Sequence, residues 1–174
     1  KISIELDKYR SQNSYDYFNQ NIALFVACNK DRLDAIKQEA ETFVREQVSL
    51  FPNHKPVISF SGGKDSTVVA DIVIRALSNP SIVQIFGDTT LEFPMTYEYV
   101  ARHRKQNPLA IIKTAKNKEQ DFYHVCEEIG PPARKMRWCC TMFKTGPITR
   151  VLNSVFKDSN ILTFYGIRKY ESVS

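Results

Sequence analysis

The stretch Val57-Ile58-Ser59-Phe60-Ser61-Gly62-Gly63-Lys64-Asp65-Ser66 joins a strand pattern to a turn pattern. Residues 57–60 form a compact β-rich run, and Ser61-Gly62-Gly63 is typical of a tight turn. After the turn, apolar side chains recur at helical spacing over 68–77, until Ser78-Asn79-Pro80 ends the pattern. The stretch therefore predicts a buried strand, a glycine turn and a helix in direct succession.

Strand and helix patterns keep alternating over most of the remaining chain. Apolar residues at helical spacing predict further helices over 31–51, 94–106, 118–129 and 147–156. Short β-rich runs predict further strands over 82–86, 109–112 and 161–165. This alternation predicts an α/β fold, a mainly parallel, twisted sheet with helices on both faces, in which ligands bind beyond the carboxyl ends of the strands.

The composition is that of one globular domain, with 174 residues, 43% of them hydrophobic and 25% charged. The longest apolar runs, such as 82–86, are far shorter than the roughly 20 residues that span a bilayer, and no secretory signal is visible. Four cysteines are too few for a disulfide-stapled secreted module, so we expect a reducing, cytoplasmic environment. The formal net charge of +5 favours an anionic partner without identifying it.

The glycine turn has the donors of an anion site. Its backbone amides can converge on an oxyanion, the following helix adds partial positive charge, and Gly62 and Gly63 permit close approach. Lys64 can reach a phosphate or sulfate oxygen, while Ser61 and Ser66 offer hydroxyl donors. The spacing matches neither a P-loop nor a dinucleotide fingerprint, which argues against both of those classes of site.

Four motifs of the chain resemble those of a known family. The loop Ser-x-Gly-Gly-x-Asp-Ser of the PP-loop superfamily of adenine nucleotide alpha hydrolases matches Ser59 together with 61–66. Within that superfamily, the phosphoadenosine phosphosulfate (PAPS) and adenosine phosphosulfate (APS) reductase family is the most similar, through three further motifs at 88–96, 137–144 and 166–172. The resemblance spans about 55–174. It implies a Rossmann-like nucleotide-binding domain over 53–174, cut short at its C-terminus, after an N-terminal helical extension over 1–52.

The resemblance also implies roles for individual residues. The phosphosulfate or triphosphate of an adenine nucleotide would be surrounded by Ser59, Ser61, Gly62, Gly63, Lys64, Asp65 and Ser66. Asp88 and Thr89 would border the adenosine, and Lys144 and Arg168 would act on the sulfate or the terminal phosphates. The alternatives are a turn cap for Asp88, a solvated helix face for Lys144 and a surface ion pair for Arg168.

The adjacent cysteines Cys139 and Cys140 are candidate metal ligands. In APS-type reductases an adjacent Cys-Cys and a later Cys-x-x-Cys hold a four-iron four-sulfur cluster. Cys139 and Cys140 match the first half of that pattern and are thus a partial ligand set, but Cys28 and Cys126 both lie upstream. We therefore expect the remaining ligands beyond Ser174, or no cluster. Cys140 is also a candidate catalytic nucleophile, because neighbouring cations lower the pKa of a thiol.

The resemblance implies an oxidoreductase acting on a sulfur group of donors, as in sulfate assimilation. A thiol would reduce an adenylyl sulfate, APS or PAPS, to sulfite and the free nucleotide, with a thioredoxin-like carrier as partner. Two alternatives stay open: ATP pyrophosphatase or sulfurtransferase chemistry with Mg²⁺, and a non-catalytic nucleotide-sensing regulatory protein. No interleaved aromatic pattern supports a nucleic-acid surface, and the motifs separate neither APS from PAPS nor a monomer from an oligomer.

Overall fold

The computed structural model describes residues 2–168, with side chains from residue 14 onward. By its contacts the chain divides into two units, Lys1–Ala40 and Glu41–Ser174. The first unit comprises helix α1, Ile2–Cys28, and the start of helix α2, Lys30–Leu50. Within residues 2–168, none of the helices combines the length and the apolar character that a membrane crossing requires.

The second unit is built from alternating strands and helices. Its strands β1 to β4 are, in chain order, His54–Ser59, Val83–Asp88, Ile111–Lys116 and Asn160–Phe164. Its helices α3 to α6 are Lys64–Leu77, Pro94–Gln106, Phe122–Ile129 and Gly146–Phe156. A short π-helical segment, Cys140–Thr145, precedes α6. The predicted alternation of strand and helix is confirmed.

The four described strands form one parallel sheet in the order β3-β2-β1-β4. From β1 the chain adds β2 and β3 on one side and later places β4 on the other side, so the strand order reverses at β1. In open α/β sheets such a reversal leaves a crevice outside the carboxyl ends of the two neighbouring strands. The topology therefore places a ligand crevice where β1 and β4 end.

Apolar clusters cover both faces of the sheet, as the predicted fold class requires. One cluster contains Ile58 and Phe86 from the strands and Phe60 just after β1, with Val73 of α3 and Val100 of α4. The other joins strand residues to α6 and contains Val57, Ile85, Ala115, Ile148, Val151 and Leu152. Alternate residues of a strand point to opposite faces, so neighbours such as Val57 and Ile58 supply different clusters.

Several predicted element boundaries were wrong. Strand β1 runs over His54–Ser59 and not over 57–60, because it pairs with β4 from His54 onward. Strand β2 runs over Val83–Asp88 and not over 82–86, because its last two residues still pair with β3. Helix α5 begins at Phe122 and not at 118, because Asn117 Oδ1 accepts from the amide of Glu119 and Asp121 caps the helix by accepting from the amide of His124. Strand β3 runs over Ile111–Lys116 and not over 109–112, since it pairs with β2 along its whole length. As an edge strand it tolerates lysines, which hid it from a search for apolar runs.

The sequence analysis did not predict the π-helical segment Cys140–Thr145. The Thr145 hydroxyl donates to the Cys140 carbonyl oxygen at 3.1 Å, and the amide of Gly146 donates to the carbonyl oxygen of Thr141. A Cβ atom on Gly146 would lie 2.5 Å from that Thr141 oxygen, so only glycine allows the segment to join α6 without displacement.

Candidate functional site

The turn after β1 requires a glycine at its first glycine position. Gly62 has a φ of +76°, which non-glycine residues rarely adopt. A Cβ atom there would also lie 3.1 Å from Val100 Cγ2 and 3.4 Å from Thr96 Cγ2, both on α4. Helix α4 therefore packs directly against the turn and leaves little room for a side chain at Gly62.

Serine hydroxyls hold the turn in shape. The Ser66 hydroxyl donates to the Gly63 carbonyl oxygen at 2.9 Å and accepts from the Ser61 amide at 3.2 Å. The Ser61 hydroxyl donates to Ser66 Oγ at 3.1 Å. Helix α3 begins directly afterwards at Lys64, and Gly63 has no side chain with which to cap its first-turn amides. Those amides are the donors that an anion meets at a helix N-terminus.

The turn forms one wall of a cleft of about 270 Å³, which we call the loop cleft. It is lined by Ser59, Ser61, Gly63, Lys64, Asp65, Ser66, Tyr165, Gly166 and Ile167. The last three residues follow β4, so the cleft lies where the strand order reverses. A Cβ atom on Gly166 would lie 3.0 Å from the carbonyl carbon and oxygen of Asp65, which shows how closely the two walls approach.

Three charged side chains surround the loop cleft. Lys64 is exposed, and Arg168 Nε lies 3.4 Å from Asp65 Oδ2. This ion pair is open to solvent and contributes little to stability, but it offsets the charge of the carboxylate beside the turn. The sequence analysis predicted Arg168 as a contact to the sulfate, and in the structure its ion pair is with a residue of the turn.

The turn after β2 uses its polar groups differently. Asp88 is only 5% exposed. Its carboxylate accepts from the Thr90 amide at 2.9 Å and the Tyr97 hydroxyl at 2.7 Å, and Lys116 Nζ lies 3.4 Å from it. Burial and the hydrogen bond to Asp88 raise the pKa of Tyr97 to about 12. The alternative of a turn cap for Asp88 is therefore observed, together with a bond to α4 and an ion pair to β3.

The same turn is tied to helix α5. Thr90 has a φ of +66°, a left-handed conformation that is uncommon outside glycine. Its hydroxyl oxygen accepts from the amide of Phe122, the first residue of α5, at 2.9 Å. The neighbouring Thr89 hydroxyl donates to Glu92 at 2.9 Å. Thr89, which was predicted to border the adenosine, and its neighbour Thr90 thus both make internal hydrogen bonds.

The adjacent cysteines lie beside an aromatic cluster. Trp138 packs on Phe122 and Phe143, with ring centroids 5.1 and 6.0 Å away. Cys139 and Cys140 are half-buried free thiols, and the guanidinium of Arg137 donates to Cys140 Sγ at 3.6 Å. Within residues 2–168, no three His, Cys, Asp or Glu side chains are grouped to hold a metal ion. Two thiols are half of the four that such a cluster takes, so the partial ligand set of Cys139 and Cys140 stays a prediction.

The structure brings six of the predicted residues together at the loop cleft: Ser59, Ser61, Gly63, Lys64, Asp65 and Ser66. Gly62 shapes the turn from beneath, and Arg168 joins the group through Asp65. The other predicted residues, Asp88, Thr89, Cys139, Cys140 and Lys144, do not line that cleft in the part of the chain that the structure describes. Lys144 is exposed on the π-helical segment.

Sequence reasoning missed several residues around these turns. Tyr165 and Ile167 line the loop cleft. Tyr165 ends a predicted strand and Ile167 belongs to the motif at 166–172, but neither was assigned a role. Tyr97 and Lys116 bind Asp88, and they lie far from the glycine turn in the sequence. Only the register of β2 and β3, which places Asp88 opposite Lys116, reveals that ion pair.

Comparison with known proteins decides the family. The model of the phosphoadenosine phosphosulfate reductase domain matches residues 55–174, which is more than half of the chain. The chain belongs to the PAPS reductase family. The predicted resemblance, with its boundaries, is thereby confirmed.

Relatives of this PAPS reductase-family chain include two proteins of Methanocaldococcus jannaschii. The uncharacterized protein MJ0066 is 32% identical over 167 residues, which are 95% of this chain and 33% of the relative. The uncharacterized protein MJ0973 is 29% identical over 155 residues, 88% of this chain and 36% of the relative. The chain thus spans about a third of the length of the curated relatives it matches.

A solved structure supports the fold. The crystal structure of phosphoadenylyl-sulfate (PAPS) reductase from Candida auris, a phosphate complex, matches with a TM-score of 0.51 and 20% identity. The match covers 82% of this chain and 70% of that one. At this identity the likeness establishes the α/β fold of the family.

Proposed function

We propose that the loop cleft binds the phosphosulfate end of an adenylyl sulfate, APS or PAPS, for thiol-dependent reduction to sulfite and the free nucleotide. The observation that carries the proposal is the cleft itself, in which a glycine turn, an uncapped helix N-terminus and Lys64 face one space. Membership of the PAPS reductase family supports the choice of ligand. The Candida auris relative, whose structure is a phosphate complex, supports an anion as the bound group.

The chemistry of the cleft suits an anionic ester. The amides of the first turn of α3 point toward the N-terminal end of the helix and carry partial positive charge. Lys64 adds a full charge, and the Ser61 and Ser66 hydroxyls keep the turn rigid. Because Arg168 pairs with Asp65, that carboxylate repels an incoming anion less than a bare carboxylate would. We propose Arg168 as the cation that moves between Asp65 and the sulfate.

The remaining predicted residues have supporting roles in the proposal. Asp88 and Thr89 would shape the turn that borders the adenosine, and Lys144 would complete the charge around the sulfate. In the reaction, a thiolate attacks the sulfate sulfur, the bond from sulfur to the nucleotide oxygen breaks, and the nucleotide leaves. A thioredoxin-like dithiol then releases sulfite and is itself oxidised to a disulfide. Cys140 is the thiol candidate within this chain, since Arg137 contacts its sulfur.

Binding and turnover test the proposal separately. We expect APS or PAPS to bind the chain by isothermal titration calorimetry and Lys64→Gln to weaken binding about tenfold, the effect of one charge-assisted contact. Lys37→Gln, which removes the same charge from α2, is the matched control and should leave the affinity unchanged. Sulfite release with reduced thioredoxin then tests the reaction. Binding of ATP with no affinity for either adenylyl sulfate would contradict the proposal.

A second candidate is ATP pyrophosphatase or sulfurtransferase chemistry. The observation that favours it is the Asp65 carboxylate in the loop cleft, because carboxylate oxygens are ligands that Mg²⁺ prefers. Pyrophosphate release from ATP with Mg²⁺ would support this reaction in place of the reductase. Nucleotide binding without turnover of any of these substrates would instead support a non-catalytic sensor.

A further inference from the structure

A second cleft, distinct from the loop cleft, opens beside the carboxyl end of β3. We call it the β3 cleft. Its volume is about 350 Å³, and it lies between the segment after β3 and helix α6. It is lined by Thr114, Lys116, Asn117, Lys118, Glu119, Pro147, Arg150, Val151 and Ser154. None of the four motifs that identify the family includes the β3 residues or the α6 residues of this lining.

A buried amide forms part of the β3 cleft. Asn117 is only 8% exposed, and its Oδ1 accepts from the amides of Glu119 and Gln120 at 3.0 and 3.4 Å. Its Nδ2 group donates to no partner within the described residues 14–168, and it is not among their fully buried polar atoms. Because Asn117 lines the cleft, this donor is open to an acceptor that enters it.

Cationic side chains line the same cleft as this amide. Lys118 and Arg150 form no ion pair with any residue in the described range 14–168, whereas Lys116 pairs with Asp88 at the end of the neighbouring strand β2. Glu119 is the one carboxylate among the lining residues. Two unpaired cations against one carboxylate, together with an amide donor, favour an oxyanion over a metal cation.

The rest of the lining selects among oxyanions. Pro147 is fully buried, whereas Val151 is half-buried and lines the cleft, so Val151 gives helix α6 an apolar wall beside the charged groups. Inorganic phosphate would leave this wall uncovered, while an organic phosphate would cover it and gain from the burial of apolar surface. We propose that the β3 cleft is a second ligand site, which binds a phosphate monoester through Asn117, Lys118 and Arg150.

The proposed site is linked to the turn after β2 through Lys116. The ammonium group of Lys116 lies 3.4 Å from Asp88 and also lines the β3 cleft. A bound phosphate monoester would therefore share this lysine with Asp88. The site is separate from the loop cleft, because β2 and β1 lie between β3 and β4, so its existence does not depend on the function proposed for the glycine turn.

The competing explanation is that these cations only protect an edge strand from pairing with other chains. Lys113 separates the two explanations. It lies on β3 and is exposed, but it does not line the β3 cleft. Lys113→Gln removes the same charge from the same strand and is the matched control for Arg150→Gln and Lys118→Gln.

The test is a titration of the ¹⁵N-labelled chain with phenyl phosphate and with inorganic phosphate, at constant ionic strength, followed by NMR. We expect phenyl phosphate to shift the Asn117 side-chain amide and the Arg150 guanidinium signals, and to bind there more tightly than inorganic phosphate does. Arg150→Gln or Lys118→Gln should weaken this binding about tenfold and leave shifts in the glycine turn intact. Lys113→Gln should change the affinity less than twofold, as screened surface charges do.

Three results would overturn the proposal. Shifts confined to residues 61–66 would leave only the loop cleft as a site. Equal loss of affinity in Lys113→Gln and Arg150→Gln would show diffuse charge attraction in place of a site. Equal affinity for phenyl phosphate and inorganic phosphate would remove the assignment to a monoester. If the glycine turn responds to neither APS nor PAPS while phenyl phosphate shifts the Asn117 amide, the proposed function fails and this inference stands.

Discussion

The turns that follow β1 and β2 differ in how they use their polar groups. At the first, Lys64 and the first-turn amides of α3 lie at an open cleft. At the second, Asp88 is buried and is bound by the Thr90 amide, the Tyr97 hydroxyl and Lys116. Both turns follow buried parallel strands at the same edge of the sheet, and both carry motif residues of the family. The hydroxyls of Ser61 and Ser66 hold the first turn in shape, and the charge of Lys64 stays available to a ligand. At the second turn, the Asp88 carboxylate is already bound by Tyr97 of α4 and Lys116 of β3.

The difference shows that position at a strand end does not by itself make a polar residue a ligand contact. What decides is whether the protein already satisfies the hydrogen bonds of that residue. For Asp88 it does, so we expect its loss to affect folding. For Lys64 it does not, so we expect its loss to affect binding.

The largest expected effect is on the stability of the turn after β2. Asp88→Ala removes the acceptor of the Tyr97 hydroxyl and the Thr90 amide and leaves Lys116 without its carboxylate. We expect the free energy of unfolding to fall by about 3 kcal/mol, since buried groups lose their partners. Urea denaturation of variant and wild type measures the change.

Lys64→Gln is the control for Asp88→Ala, because it changes a charge at the other turn. We expect its free energy of unfolding to stay within about 0.5 kcal/mol of wild type, as for exposed substitutions in general. Equal destabilisation by the two variants would contradict the contrast between the turns.

The next effect concerns the approach of the two walls of the loop cleft. Gly166→Ala places a methyl group about 3.0 Å from the Asp65 backbone, so the segment after β4 must move away. We expect a loss of about 2 kcal/mol in stability, the usual cost of overpacking, and weaker anion binding as the walls separate. Ile167→Ala changes an exposed side chain next to it and should leave the unfolding free energy unchanged. Wild-type stability in Gly166→Ala would show that the walls are free to shift.

A smaller free-energy effect is expected for ligand binding at the glycine turn. Lys64→Gln should reduce the affinity of the loop cleft for inorganic phosphate about tenfold, and the remaining affinity should depend less steeply on salt. Changes in the backbone NMR signals of 61–66 report this binding directly. An unchanged salt dependence in the variant would show that Lys64 does not face the anion.

The sequence predicted the parts of this molecule that depend on neighbours along the chain. The strand, glycine turn and helix over 57–77 are visible in local apolar spacing, and the structure has β1 and α3 there. The same holds for α4 and α6, whose first turns carry Pro signals. Six residues of the loop cleft follow from one motif because they are consecutive or nearly so.

Features that depend on tertiary pairing were not predictable in this way. The ion pair of Lys116 with Asp88 needs the register of two strands, and the start of α5 is set by Asn117 and Asp121 side chains. The π-helical segment depends on one close approach, that of Gly146 to the Thr141 oxygen. Local propensity contains none of this information, because the partners meet only in the folded chain.

The smallest expected effect comes from the Tyr97 hydroxyl, which donates to Asp88. Tyr97→Phe removes a hydrogen bond of 2.7 Å, and we expect a loss of about 1 kcal/mol at neutral pH. The folded state raises the pKa of this phenol from 10.0 to about 12, so it holds the proton more tightly than the unfolded chain does. The stability that this group contributes is therefore present below pH 10.0 and is lost as the pH rises toward about 12.

In Tyr97→Phe this part of the alkaline decline should be absent, so the difference in stability between variant and wild type should shrink above pH 10.0. Urea denaturation at a series of alkaline pH values measures it. Tyr123→Phe, at an exposed tyrosine of α5, is the matched control and should follow the wild-type pH dependence. Parallel pH curves for wild type and Tyr97→Phe would show that the phenol is not bound to Asp88, and the contrast between the two turns would lose its best-defined contact.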